Sequence, residues 1–352
     1  MNSRPWFLPF PVLVLVTAGF LCGPAALPQA PRPGHAAGAK SRGNQSGPPF
    51  VVKKNGKYGF INRTGTMVIP PQYDNTYQFS EGLASVQVGD KWGFIDATGK
   101  MVIPPQYDLA WRFFEGMAGV QVGDKWGFID KSGEMVIPAR YDSNFLRFSD
   151  GLAAVVAGGS VGYIDKTGKM VIPPHYATIT GNFSEGLAAV VVAIKAGPSG
   201  YIDKTGTMVI PAQYGLADEF SEGLAGVEVG AKYGYIDKTG TMVIPPLYDI
   251  AVSFSEGLAR VRRAGDEKEG YIDKTGTMVI PPRYDNATEF SEGLAAVKIG
   301  EKWGFIDKTG TMVIAPQYDS ANGFSEGLAP VWIGDKWGWI DKTGKYVWEP
   351  TK

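Results

Sequence analysis

The sequence predicts an all-β fold built from tandem repeats. The glycine of the segment KWGFID recurs nine times, at steps of 34, 34, 35, 38, 34, 36, 34 and 34 residues. Around it, short apolar runs alternate with turn-forming residues, as in an antiparallel β-meander. A period this regular indicates a repeat architecture, in which each unit buries its apolar face on its neighbours. The nine glycines are Gly59, Gly93, Gly127, Gly162, Gly200, Gly234, Gly270, Gly304 and Gly338.

The first half of a unit is predicted to be a β-hairpin. In Ala84–Val88 (ASVQV), small apolar and polar residues alternate, which is typical of a half-buried strand. Gly89 and Asp90 then form a two-residue hairpin loop before the strand Trp92–Asp96. A glycine inside a strand weakens it unless another group approaches closely. We therefore expect Gly93 to leave room for an aromatic ring of the next unit.

The second half contains a turn, a third strand and a return segment. The turn is Asp-x-Thr-Gly, in which Asp bonds the backbone two residues on and Gly adopts the left-handed conformation. The third strand, Met101–Ile103, is expected to end at Pro104 and Pro105, because proline donates no hydrogen bond to a sheet. A variable stretch of about six residues leads to the motif Phe-Ser-Glu-Gly-Leu-Ala. Each unit of about 34 residues is thus a three-stranded meander with an extended return segment.

The two ends of the array decide between an open and a closed shape. Phe50–Lys54 is a first strand without the return segment, and 346–348 is a final third strand, so nine units start and stop in phase. A β-propeller usually has 4 to 8 four-stranded blades and often closes by sharing one blade between its termini. Nine three-stranded units without a split unit therefore favour an open, solenoid-like superhelical array. A closed propeller-like ring is the alternative.

The composition divides the chain into three segments. Residues 1–26 carry a single Arg and an uncharged apolar run of about 16 residues, shorter than the roughly 20 that a membrane-spanning helix needs, so they are predicted to be a secretory signal peptide. Residues 27–49 are a Pro/Gly/Ala-rich linker, and residues 50–352 are the β-repeat array. The protein is therefore expected to be exported. An uncleaved N-terminal anchor and lipidation at Cys22 stay open, and no other membrane association is expected.

The composition argues against several classes of function. The array carries 30 basic and 35 acidic residues without a basic stripe, which argues against binding nucleic acid. Its one histidine is His175, and the chain's one cysteine, Cys22, precedes the array. We therefore predict no zinc or iron site, no cofactor and no internal disulfide. Because almost every polar residue recurs in a column of equivalent positions, we predict no catalytic residue and no enzymatic activity.

One acidic column still needs an interpretation. It recurs before a Gly in the return segment of eight units. Paired carboxylates hydrolyse glycosides, and acidic ladders hold calcium. The simpler interpretation is that each carboxylate accepts backbone N–H bonds at a tight turn. The column is Glu81, Glu115, Asp150, Glu185, Glu222, Glu256, Glu292 and Glu326.

The aromatic columns are predicted to be core, with one candidate for exposure. Aromatic faces also stack on sugars, but one ring per unit against a neighbour is typical of a core. Trp332 stands where other units have Gln87, Glu228 or Lys298, so we expect it to be accessible and name it as the candidate binding residue. Two hairpins are lengthened, at 192–199 and 262–269, on a side that in repeat proteins often binds ligands or simply varies neutrally.

The repeated pattern resembles the WG-repeat family. It reads (Trp/Tyr)-Gly-Phe-Ile-Asp-x-Thr-Gly-x-x-Val-Ile-Pro-x-x-Tyr-Asp, followed by Phe-Ser-Glu-Gly-Leu-Ala, and covers essentially all of residues 50–352. Departures are Asn62 for the first Asp, Ala177 and Gly215 for the Asp after Tyr, and three lost aromatics. The resemblance implies a bacterial, all-β, surface or secreted protein. It implies neither catalytic residues nor a ligand.

Together these observations favour a non-catalytic exported scaffold. Its long repetitive surface would bind a protein partner or an envelope surface, as extended repeat surfaces do. The alternative is a multivalent glycan- or cell-wall-binding module, in which shallow aromatic sites gain affinity together. A hydrolase is the third and weakest hypothesis. The ligand and the oligomeric state do not follow from the sequence.

Overall fold

The protein is all-β throughout the residues that the structure, a computed structural model, describes: 47–142, 147–192 and 197–351. Every regular element in these ranges is a β-strand. The described residues contain no helix that is long and apolar enough to cross a membrane. The signal peptide 1–26, Cys22, His35 and all but the last three residues of the linker lie outside the described residues.

Nine equivalent meanders supply most of the strands. The first strands are β1 (Phe50–Lys54), β5 (Leu83–Val88), β9 (Met117–Val122), β12 (Leu152–Ala157), β16 (Leu187–Val191), β19 (Leu224–Val229), β22 (Leu258–Arg263), β26 (Leu294–Ile299) and β30 (Leu328–Ile333). The middle strands are β2 (Lys57–Ile61), β6 (Lys91–Asp96), β10 (Lys125–Asp130), β13 (Ser160–Asp165), β17 (Ser199–Asp203), β20 (Lys232–Asp237), β23 (Glu269–Asp273), β27 (Lys302–Asp307) and β31 (Lys336–Asp341).

The remaining strands complete each meander and connect it to the next. The third strands are β3 (Met67–Tyr73), β7 (Met101–Tyr107), β11 (Met135–Tyr141), β14 (Met170–Tyr176), β18 (Met208–Tyr214), β21 (Met242–Ala251), β24 (Met278–Tyr284), β28 (Met312–Tyr318) and β32 (Tyr346–Thr351). Return strands in the variable stretch are β4 (Asn75–Thr76), β8 (Leu109–Phe114), β15 (Thr178–Ile179), β25 (Asn286–Ala287) and β29 (Ser320–Ala321).

These strands form a closed β-propeller ring of eight sheets in the described residues. Within a sheet, neighbouring strands pair antiparallel. Their order is the return strand, where there is one, then the first, middle and third strands, as in β4-β5-β6-β7. One sheet has six strands, β19 to β24, because β21 continues without interruption from the third strand of one unit into pairing with β22 of the next. The eight sheets therefore hold nine repeat units.

The hairpins have the predicted register, whereas the third strand does not end where predicted. Val88 pairs with Lys91 across Gly89 and Asp90, and Gly89 has a φ of 60°. The third strand runs on past Ile103 to Tyr107, because the two prolines occupy a bulge after which Tyr107 pairs with Trp92. A bulge leaves residues unpaired, so it tolerates the missing N–H of proline.

The marker glycine has a different neighbour from the predicted one. A Cβ on Gly93 would lie 2.5 Å from the Ile103 carbonyl oxygen and 2.7 Å from the Pro105 nitrogen. The group close to Gly93 is therefore the bulged backbone of the third strand of the same unit. The prediction that an aromatic ring of the next unit approaches this glycine is wrong. The glycine lets the bulge fold tightly over the middle strand.

The hydrophobic core lies between successive units. Phe94 of one unit and Phe113 of the next return segment, for example, have ring centroids 5.0 Å apart in an edge-to-face arrangement. Both rings are fully buried, and Ile103, Val120 and Ile129 join the same cluster. Because each cluster needs residues of two units, a single unit has no complete core.

The preferred prediction of an open array is wrong, and the alternative of a closed ring is confirmed. The last unit packs on the first: Trp339 lies 5.1 Å from Phe50 between ring centroids, and its indole N–H donates to the Val51 carbonyl at 2.7 Å. Thr351 Oγ1 also donates to the Lys53 carbonyl at 2.7 Å. The ring closes by packing one complete unit on another, so the absence of a split unit does not leave it open.

Candidate functional site

The strand directions give the ring two faces. On one face, which we call the hairpin face, lie the loops between first and middle strands and the ends of the third strands, as the pairing of Trp92 with Tyr107 requires. On the opposite face, the turn face, lie the Asp-x-Thr-Gly turns and the Glu-Gly turns that precede the first strands. The lengthened hairpin at 262–269 belongs to the hairpin face. Of the other, at 192–199, residues 193–196 lie outside the described residues.

The acidic column on the turn face connects one unit to the next. Glu81 accepts a hydrogen bond from the N–H of Gly116, the equivalent turn of the following unit, at 2.9 Å, and Lys131 lies 3.1 Å from the same carboxylate. Six further members of the column accept an equivalent bond and face an equivalent Lys: Glu115, Asp150, Glu185, Glu222, Glu256 and Glu292. The prediction that these carboxylates accept backbone N–H bonds at a turn is confirmed, although the donor belongs to the next unit.

The last carboxylate of this column closes the ring. Glu326, in the return segment before unit nine, forms an ion pair with Arg63 of the first unit, which stands where later units have Lys. The second unit has Ala97 in place of this basic residue. A basic side chain there would have to reach a Glu in the return segment before the first unit, and the first unit has no such segment. The basic residue is thus missing where its partner is missing.

The acidic column on the hairpin face has the same connecting role. Asp108 accepts from Lys91 of its own unit at 2.6 Å and from the N–H of Gly123, in the next hairpin, at 2.7 Å. These two hydrogen bonds hold the pKa of Asp108 below its usual value, and the bond from Lys91 has the larger effect. Asp74 and Asp319 have equivalent partners and a pKa lowered for the same reasons. Both acidic columns therefore hold units together.

No described residues form a metal centre. Groups of three or more His, Cys, Asp or Glu side chains that could hold an ion are absent from the part of the chain that the structure describes. His175 lies alone in a third strand, with its Nδ1 2.7 Å from the Pro173 carbonyl oxygen and its ring against Tyr176.

The candidate Trp332 lies at the closure. It is partly buried, pairs with Trp337 across the hairpin and packs against the cluster that joins the last unit to the first. Its part in binding stays a prediction. A more exposed tryptophan is Trp111, at 36%, which also lies outside the repeated aromatic column.

A variable column lines the inner wall of the ring. It consists of the residue before the motif Phe of each return segment. Arg147 of this column reaches across Asn182, its equivalent in the next unit, to the Glu219 carboxylate in the unit after that, at 3.4 Å. One side chain spans two units only where the units converge, which is near the ring axis. The column reads Gln78, Arg112, Arg147, Asn182, Glu219, Ser253, Glu289 and Gly323.

One arc of this wall differs from the rest. We call Tyr77, Trp111, Arg112, Phe114 and Arg147 the Arg–aromatic cluster. The guanidinium carbons of the two arginines lie 5.5 and 5.6 Å from the centre of the Phe114 ring, and Tyr77 lies 5.4 Å from Trp111 between centroids. Phe114 replaces the Ser of the return motif, and β8, at six residues, is longer than the two-residue return strands. Sequence reasoning missed the cluster, although these departures from the motif are visible in the sequence.

A second departure lies in unit seven. Glu269 replaces the aromatic residue of the main column and is buried, and Arg260 replaces a residue that is small in other units, such as Ser85 or Ala154. The two side chains pair at 2.9 Å. Because a lone buried charge is costly, each substitution requires the other. This pair explains the loss of one aromatic without a ligand.

The comparisons with known proteins agree with this architecture. The family described as "WG containing repeat" matches residues 58–92, 92–126, 126–159, 162–192, 200–233, 233–265, 270–303 and 303–337. Together these eight matches contain eight of the nine marker glycines, Gly59 to Gly304. No curated protein matches the chain.

Solved structures are similar to this chain at low sequence identity. The crystal structure of a eukaryotic initiation factor is 13% identical, with a TM-score of 0.62 over 86% of this chain and 95% of that one. Apo AztD from Citrobacter koseri is 12% identical, with a TM-score of 0.43 over 75% of this chain and 91% of its own. Hsv2p from Kluyveromyces lactis is 8% identical, with a TM-score of 0.43 over 68% and 96%. The first of these likenesses supports the fold alone.

Proposed function

We propose, on the premise that the chain belongs to the WG containing repeat family, that this protein is an exported, non-catalytic ring scaffold that binds a protein partner. Export is part of the proposal because it depends on residues 1–26, which lie outside the described residues. A rigid ring presents side chains from several units on one surface, and repeat proteins use such surfaces for recognition.

One observation carries the proposal: the repeated polar residues are engaged within the ring, while the inner wall varies. Glu81 and Asp108, with their equivalents, hold neighbouring units together. The side chains of the variable column differ from unit to unit, and their charge changes from Arg112 to Glu219. A non-repeating surface on a repeating frame supports recognition of one particular partner more than repeated binding of one small unit.

Capture from an extract tests the proposal. The full chain is immobilised and exposed to an envelope and culture-medium extract of the source cell, with and without competing free sugars. We expect a discrete protein to be retained regardless of sugar and to be lost when the extract is first digested with protease. Retention of glycan or wall fragments, released by sugar, would contradict it.

A glycan-binding module is the second candidate, and the exposure of Trp111 favours it. This ring is 36% exposed and has Tyr77 5.4 Å away, so two aromatic faces lie side by side as in sugar sites. The candidate Trp332 offers a second aromatic on another unit. Under this hypothesis, Trp111→Ala or Trp332→Ala should abolish sugar-sensitive retention, whereas a protein-binding scaffold shows none in the wild type.

The absence of catalysis is also proposed. Seven of the eight turn-face carboxylates, the best candidates for acid–base chemistry, are occupied by an N–H and a Lys, as Glu222 is by Gly257 and Lys274, and the eighth, Glu326, pairs with Arg63. A hydrolase would lose turnover when a single essential carboxylate is changed. If any hydrolysis by the purified protein disappeared in Glu222→Gln while the ring stayed folded, the proposal would fail.

A further inference from the structure

The Arg–aromatic cluster carries more positive charge than its own surroundings neutralise. Among the contacts of the described residues, Arg147 has one carboxylate partner, Glu219, at the long distance of 3.4 Å, and Glu219 also accepts from the Asn182 N–H at 2.7 Å. Arg112 stacks over Phe114 and forms no ion pair within the described residues. Of the two guanidinium groups, only that of Arg147 thus has a carboxylate partner among the described residues.

The hydrogen-bond donors of the two arginines are also incompletely used. Arg112 Nη1 and Arg147 Nε are both removed from solvent and have no hydrogen-bond partner. A buried guanidinium donor without an acceptor costs free energy that an incoming anion would recover. In agreement, burial lowers the pKa of Arg112; Tyr77 offsets part of this lowering, and the neighbouring Arg147 adds to it.

The shape of the cluster favours an extended peptide. The two guanidinium groups flank one ring at 5.5 and 5.6 Å, so they are at most about 11 Å apart, which two carboxylates two or three residues apart in an extended chain can match at ~3.3 Å per residue. Trp111, exposed beside Arg112, adds an apolar surface for the intervening side chain. Arginine suits this task because its fork binds carboxylates in two places.

We propose that the Arg–aromatic cluster binds an acidic segment of the partner protein, with Arg112 and Arg147 each holding a carboxylate and Trp111 covering the peptide between them. The inference rests on the proposed function and names the chemistry of its partner. It places recognition on the inner wall of units two to four. The rest of the array is mildly acidic, so the cluster stands out as a local positive site.

The test measures binding of a short fluorescein-labelled peptide of alternating Asp and Leu to the full chain by fluorescence anisotropy. The same peptide with Asn in place of Asp is the peptide control, and inorganic phosphate and oligogalacturonate are the other probes. Arg112→Gln is expected to weaken binding about tenfold, because a charge-assisted hydrogen bond is lost. Arg112→Lys keeps the charge but not the forked guanidinium, so its Kd should lie between those of the wild type and Arg112→Gln.

The matched control is Arg263→Gln, which makes the same charge change at an exposed hairpin residue. It should leave the Kd unchanged. Thermal unfolding separates binding from folding: because Arg112 forms no hydrogen bond or ion pair in the described residues, Arg112→Gln should not lower the unfolding midpoint. Equal binding by wild type and Arg112→Gln overturns the inference, as does equal loss in Arg263→Gln, or binding of phosphate or oligogalacturonate without binding of the Asp peptide.

Failure here and failure of the proposed function are distinguishable. If Arg112→Gln retains the same sugar-independent protein from the extract as the wild type, the partner binds elsewhere and only this inference fails. If the wild type retains no protein, the proposed function fails with it.

Discussion

Ring closure depends on one tryptophan, and Trp339→Phe tests that dependence. Eight other units have Phe or Tyr at this position, so the substitution places a residue that the fold already accepts there. At the closure, however, the first unit has Phe50 where other units have Ala, and it lacks the return segment whose Phe fills the contact elsewhere. Trp339 and Phe50 together occupy that space, at 5.1 Å between ring centroids.

The expected cost has two parts. Trp339 is 4% exposed, and its N–H donates to the Val51 carbonyl, which belongs to a residue 1% exposed, at 2.7 Å. Leaving that carbonyl without a donor costs about 1–3 kcal/mol. The smaller ring leaves part of its site unfilled, which costs about 1–2 kcal/mol more. We therefore expect the free energy of unfolding to fall by about 2–5 kcal/mol.

The assay is guanidinium chloride unfolding of the full chain, followed by far-UV circular dichroism. Trp126→Phe is the matched control, because Trp126 is similarly buried, at 5%, but lies in the third unit away from the closure. Trp126→Phe should lose only the part of the free energy of unfolding that comes from packing of the larger ring. X-ray scattering of each variant detects opening of the ring as an increase in the radius of gyration. Equal destabilisation of both variants, with unchanged scattering, would refute the dependence of closure on the Trp339 hydrogen bond.

Three further predictions concern the connections inside and between units. Gly93→Ala should lower the free energy of unfolding by at least about 3 kcal/mol, because the new Cβ would lie 2.5 Å from a backbone oxygen in a tightly packed core. A thermal unfolding midpoint near that of the wild type would contradict the tight bulge. Glu222→Ala should cost about 1–2 kcal/mol in chemical unfolding and Glu222→Gln less, because Gln still accepts from Gly257; equal losses would argue against that hydrogen bond. Acid should destabilise the ring. The pKa of Asp108 is lowered in the folded state by Lys91, so its contribution is present at neutral pH and lost as the pH falls below about 4; an unfolding midpoint that does not change from pH 7 to pH 3 would contradict this.

Much of the unit could be predicted from local sequence. The two-residue hairpin at Gly89 and the Asp96 turn, in which Asp96 accepts from the N–H and hydroxyl of Thr98, depend on residues close in the chain. Strand identity follows from the period-2 pattern for the same reason. The error at Pro104 arose because proline was taken to end the strand, whereas a bulge opposite Gly93 accommodates it.

The inner wall could not be predicted in the same way. Arg112 and Arg147 lie in a stretch that looks merely variable, because no repeat pattern marks it, and Phe114 follows one of them inside the return motif. Their proximity depends on how closely successive units approach, which the packing of rings such as Phe94 and Phe113 decides. The substitution of Phe114 for the motif Ser was the available signal.

By itself, the sequence determined the unit, its strands and turns and the number of copies, because each depends on interactions within about 34 residues. Only the tertiary structure decided whether the array closes. Closure depends on the angle between neighbouring units, a small quantity that accumulates over nine copies, and on whether the last unit then meets the first. The hydrogen bond from Trp339 to Val51 joins residues 288 positions apart, and no local pattern encodes such a contact.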